Sequence, residues 1–157
     1  MKKTVLLMML CAMLLAGCGK QTKAVSDGRH FAVMRENMKI ALDAPAAPVL
    51  SVLGAPFGYA ESKSGSHDGV EKTYRFRGLN LRTYQGEDGD RIMGFLFTDS
   101  SLQTEEGISL GSSADEVRQC YGTDAIRDNC CVLSRSNEKL MLVLKNNVVT
   151  AIQYSLL

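Results

Sequence analysis

Tryptophan is absent from the 157 residues, and only two histidines and three prolines are present. With His30 and His67 alone, imidazole catalysis and zinc binding have a thin inventory to draw on. An excess charge of either sign is also lacking, since 18 Lys and Arg stand against 17 Asp and Glu. A near-neutral chain gives no electrostatic case for nucleic acid or for an anionic membrane surface. Beyond residue 15 there is no apolar run long enough to span a bilayer.

What is present begins at the front. Lys2-Lys3 precede an apolar run over residues 5–15, and the run stops at Leu15-Ala16-Gly17-Cys18. A basic start, a short apolar core and small residues at the exit have the form of a secretory signal. The cysteine directly after Leu-Ala-Gly resembles the lipobox of bacterial lipoproteins. In that family the signal is cut before the cysteine and the cysteine carries lipid. The resemblance implies a signal peptide over 1–17 and a lipidated Cys18. It also implies a protein held at the extracytoplasmic face of a membrane. Two or three acyl chains would hold it firmly, because one chain binds only marginally. Residues 19–29 are small and polar without apolar periodicity, which predicts a flexible tether. Residues 30–157 are then one domain, long enough for a real core.

Within that domain, Phe31, Val33 and Arg35 alternate with their neighbours, as do Met38, Ile40 and Leu42. With Glu36-Asn37 between them they predict a hairpin. Next, Pro45 and Pro48 fit the first turn of a short helix, where N–H groups lack helical partners. Val49, Leu50 and Leu53 share its apolar face, and Gly54 stops it. Residues 58–69 read as an exposed loop by composition. Strands are expected at 70–77, 80–85 and 91–98, with a Gly78-Leu79 turn between the first two. Residues 100–111 read as a linker. Ser113 and Glu116 have capping-box spacing, Val117 and Tyr121 follow on one face, and Gly122 stops a second helix. Three more strands are expected at 129–135, 138–145 and 148–156.

The expected fold is α+β, with antiparallel sheet and helices on one side. Short helix, glycine stop and three-strand meander occur twice, as pseudo-repeats over about 43–99 and 107–157. Leu53-Gly54-Ala55-Pro56 and the segment from Gly107 to Gly122 resemble the helix-plus-glycine motifs of small bacterial envelope lipoproteins. Those are akin to BamE-like and β-lactamase-inhibitor-like folds, and the layout is similar to uncharacterised lipoproteins of Gram-positive gut bacteria. Cys120 stands where those motifs have a small residue. The resemblance implies protein–protein interaction in the envelope and carries no active site across.

Ser66-His67-Asp68 holds the residue types of a hydrolase triad, but sequence neighbours do not converge as a triad must. An exposed loop is the better reading. Glu87, Asp88 and Asp90 lack the spacing of a dedicated calcium loop and read as a solvated turn. Cys130-Cys131 sends its two side chains to opposite sheet faces. Core thiols are the leading reading, and a disulfide from Cys120 to one of the two, Cys131 or Cys130, is the second. On the first meander, Arg75, Arg82 and Tyr84 share a face opposite Tyr74, Phe76 and Leu81. Two arginines directly opposed repel unless an acid lies between them. The bland reading is a solvated face neutralised by carboxylates; the sharper one is a partner-binding face for an acidic protein, with Tyr84 as aromatic anchor.

Neither a nucleophile–base pair nor an acid–base pair is visible, so no catalysis and no cofactor are expected. The expected function is a lipid-anchored, extracytoplasmic protein-binding or envelope-assembly module. The alternative is an inhibitor or small-ligand-binding lipoprotein that uses its open sheet face.

Overall fold

The computed structural model describes residues 31–35, 38–65 and 69–157. The signal, Cys18, the tether, Glu36-Asn37 and Ser66-His67-Asp68 lie outside the described residues. The described residues form an α+β fold of antiparallel sheets with two short helices. Among the described residues no helix is long and apolar enough to cross a membrane.

Strands β1 (Ala32–Arg35) and β2 (Met38–Ala41) pair antiparallel, with Val33 opposite Ile40. Both side chains are fully buried, as the period-two pattern requires. Helix α1 (Ala46–Leu53) has Pro45 at its N-cap and Pro48 in its first turn, so neither proline removes a helical hydrogen bond. Gly54 ends it at φ 77°, its N–H donating to the Leu50 carbonyl. Ala46 is the buried residue of this helix; Val49, Leu50 and Leu53 pack half-buried at the rim of the core.

Strand β3 (Gly58–Lys63) occupies much of the segment that composition assigns to a loop. It pairs along its whole length with β4 (Val70–Phe76), and Tyr59 lies on Tyr74 with ring centroids 5.1 Å apart. Its polar sequence conceals it because nearly every residue is exposed at a sheet edge, where packing imposes no apolar alternation. Then follow β5 (Leu79–Gly86) and β6 (Gly89–Phe97). The β4–β5 turn is Arg77-Gly78 rather than Gly78-Leu79, with Gly78 at φ 80°. Arg75 therefore faces Asn80, and Arg82 faces Thr73. The correction moves the partners but keeps the faces, because the pairing shifts by an even number of residues.

The expected linker contains β7 (Gln103–Thr104), which pairs with β1. Helix α2 (Ala114–Tyr121) starts with the capping box, Ser113 Oγ accepting from Glu116 N and the Glu116 carboxylate accepting from Ser113 N. Strands β8 (Ile126–Arg127), β9 (Cys130–Arg135), β10 (Glu138–Lys145) and β11 (Val148–Leu156) complete the chain. The β10–β11 turn places Asn146 at φ 53° and Asn147 at φ 62°, the conformation a tight hairpin needs and asparagine tolerates. The two-residue strand β8 carries too little pattern to be read from sequence.

The strands form a small sheet, β2-β1-β7, and a large one, β3-β4-β5-β6-β11-β10-β9-β8. In β6 the register shifts beside Met93, a bulge. Before it, Ile92 exchanges backbone hydrogen bonds with Asp43 and Ala44; after it, β6 pairs with β11. One face of the large sheet supplies Leu81, Phe95, Tyr154, Leu140 and Leu142 to a single core. The small sheet contributes Phe31, Val33 and Ile40, and the helices Ala46, Ala114 and Val117. Tyr154 is central, with Phe31 and Phe95 edge-on and Phe97 stacked.

Candidate functional site

Among the described residues, the helices and the small sheet contribute to the core on one face of the large sheet, and no element covers the other face. Strand pairing places Arg75, Asn80, Leu96, Gln153, Met141 and Val132 in one row across it, from β4 to β9. The next row carries Thr73, Arg82, Gly94, Ser155, Lys139 and Ser134. Leu96 and Val132 are exposed apolar residues in the first row, 38% and 52% accessible. Between them in the row lie Gln153 and the half-buried Met141.

Arg82 and Tyr84 are held within the molecule. Arg82 Nη2 sits 2.5 Å from Glu71 Oε2, and Ser64 Oγ donates to the other oxygen at 2.8 Å. Burial pushes the Glu71 carboxyl up, but the hydrogen bonds from Arg82 and Ser64 and the Arg82 charge more than offset it, leaving its pKa below the ordinary value. The Tyr84 hydroxyl donates to Asp43 Oδ1 at 2.8 Å, and Arg91 Nε reaches the same oxygen at 2.8 Å. Burial first, then the Asp43 hydrogen bond, pushes the Tyr84 phenol up. Glu71 and Asp43 were missed as partners by sequence reasoning. Glu71 shares the parity of Thr73 and Arg75 in β4, a signal that could have placed it on this face.

Arg75 is different. It lies exposed with its side chain against Gly58, where an added Cβ would come within 3.1 Å of Arg75 Cδ. Neither Arg75 nor Lys139 forms an ion pair among the described residues. At the far edge a hollow of about 480 Å³ is lined by Asp124, Ala125, Arg127, Cys130 and Val132, where Arg127 pairs across strands with Cys130. The face thus mixes Leu96, Met141 and Val132 with Asn80 and Gln153, between Arg75 on β4 and Arg127 on β8.

The other sequence-predicted groups do not converge. Asp90 is held by Lys72 at 2.7 Å, while Glu87 and Asp88 line a separate hollow of about 420 Å³ with Tyr84 and Arg91. Among the described residues no group of three His, Cys, Asp or Glu could hold a metal ion. Cys120, Cys130 and Cys131 are unbridged. Cys120 Sγ lies 3.5 Å from the Glu106 carbonyl oxygen. Cys131 is fully buried, and burial pushes its thiol up to about 11, which makes it a packing residue at neutral pH.

A buried polar knot stands on the core side. The Tyr121 hydroxyl donates to Glu106 Oε2 at 2.8 Å and lies 3.0 Å from Thr104 Oγ1. The Arg135 guanidinium lies 4.5 Å over the Phe31 ring, and the Phe31 N–H donates to the buried Glu138. These contacts fasten β7 to α2 and the start of β1 to the β9–β10 hairpin. Comparison with protein-family models, curated proteins and solved structures finds no match.

Proposed function

We propose that this chain is a lipid-anchored, extracytoplasmic protein-binding or envelope-assembly module without catalysis. Its binding surface is the open face of the large sheet, and its partner is an acidic protein. The observation that supports this reading is the row from Arg75 to Val132, with exposed Leu96 and Val132, flanked by Arg75 and Lys139, which form no ion pair among the described residues. Arg75 and Lys139 meet the partner's acids, while Arg82 and Tyr84 shape the face. Cys18 follows a lipobox-like Leu-Ala-Gly, and the lipid on it is the membrane anchor. The chain also reads as two pseudo-repeats. What supports that reading is the sheet order β3-β4-β5-β6-β11-β10-β9-β8, with α1 before β3 and α2 before β8 in the chain.

The test uses the full chain in its own membrane. Wild type is labelled by a fatty acid and Cys18→Ser is not; equal labelling of both ends the anchoring reading. Arg75→Glu/Lys139→Glu folds normally but loses cross-linked partner, more so at low salt. Unchanged partner capture by this variant removes the binding-face reading. Arg82 is left intact because its loss would strand Glu71 in a nearly dry site.

A further inference from the structure

The large sheet ends at two unequal edges. One is closed by β8, only two residues long; the other is the whole of β3, six residues with the last five exposed. Long, regular edges template strand pairing, and proteins guard them with charged side chains, proline, bulges or a covering element; of these, β3 carries charges, Glu61 and Lys63. The β3–β4 ladder has no bulge, β3 has no proline, and no described element pairs with its outer side.

The direction of its free hydrogen-bonding groups follows from one contact. The Ser64 N–H donates to the Gly69 carbonyl oxygen at 3.1 Å. Alternation then turns the N–H and C=O of Ala60 and Ser62 toward β4, and those of Tyr59, Glu61 and Lys63 outward. The outward residues carry the charges, of alternating sign. Lys63 forms no ion pair among the described residues, and Glu61 accepts a hydrogen bond from the Tyr59 hydroxyl.

We infer that β3 is a self-pairing edge whose occupant is β3 of a second copy, joined antiparallel about a two-fold axis at Ser62. In that register Glu61 faces the partner copy's Lys63 and Lys63 faces its Glu61, both as hydrogen-bonded pairs. Tyr59 lies over the partner copy's Gly65. Sliding by one residue along each strand opposes Glu61 to its own copy, a like-charge pair that disfavours the alternative. The order Glu61 then Lys63 is complementary to an antiparallel copy of itself. The product is one continuous sheet whose open faces lie side by side. This inference stands on the edge alone and does not depend on the acidic partner proposed above.

Ser62 is the decisive position, because it opposes itself as a non-hydrogen-bonded pair with Cα atoms about 4.5 Å apart, within disulfide reach. The full chain is expressed in its own membrane as wild type, Ser62→Cys and Ala60→Cys, then oxidised and run without reductant. A reducible homodimer from Ser62→Cys, well above wild type and Ala60→Cys, is expected. Glu61→Lys added to Ser62→Cys cuts the dimer roughly tenfold, because two attractive pairs become repulsive. Adding Lys63→Glu as well restores it. A homodimer through Ala60→Cys instead, a cross-link only to a different protein, or no rescue by the charge swap overturns the inference. So does the absence of any Ser62→Cys dimer when circular dichroism shows that variant folded.

Discussion

Gly94 sits at the seam where the two four-strand halves of the large sheet meet, opposite Ser155. A Cβ added there would lie 2.8 Å from the Tyr154 carbonyl oxygen, a backbone atom that cannot swing aside. The seam has only three register pairs, Gly94, Phe95 and Leu96 with Ser155, Tyr154 and Gln153, so the strain cannot spread along a long ladder. Nor can Tyr154 yield easily, being 1% exposed and enclosed by Phe31, Phe95 and Phe97. Overpacking of this kind costs about 1–3 kcal/mol. A domain of roughly 125 residues unfolds with an entropy of about 0.26 kcal/mol/K, so Gly94→Ala should lower Tm by about 4–12 °C. Gly65→Ala is the control, since nothing lies within 4 Å of its added Cβ; it should stay within about 0.5 kcal/mol of wild type. The assay is calorimetric melting of the three proteins at equal concentration. A Gly94→Ala protein that melts with wild type, or above it, would refute the close approach at the seam.

Glu71→Gln tests the ion pair beneath the open face. The folded pKa of Glu71 lies below its unfolded value, so its stabilisation is present above about pH 4.3 and is lost as pH falls through the folded value. At pH 7 the substitution should cost about 1 kcal/mol, limited by water around Arg82, whose side chain is 41% exposed. In urea titrations from pH 7 to 3 the gap from wild type should close toward the acid end, and a constant gap would contradict the assignment. Ser113→Ala removes the acceptor for the Glu116 N–H and should cost about 1 kcal/mol, read as a lower urea midpoint at unchanged slope.

Local chemistry was legible in the sequence, and non-local pairing was not. The capping box of α2, the glycine after each helix, the Asn146-Asn147 turn and the alternation of β10 and β11 each rest on residues within a few positions of one another. Their physics is settled by side-chain hydrogen bonds, tolerance of positive φ and period-two burial. The face shared by Arg75, Arg82 and Tyr84 was legible for the same reason, since parity survives an even shift of register. Tertiary structure alone decided which acids neutralise which bases. Glu71 captures Arg82 from a neighbouring strand, and Asp43 reaches Tyr84 and Arg91 from beyond β2. It also decided that a polar stretch becomes β3, because an edge strand is held by a neighbour's backbone and not by its own burial. The join of β6 to β11 belongs here too: it brings together segments some sixty residues apart through a glycine whose need for closeness only the fold reveals.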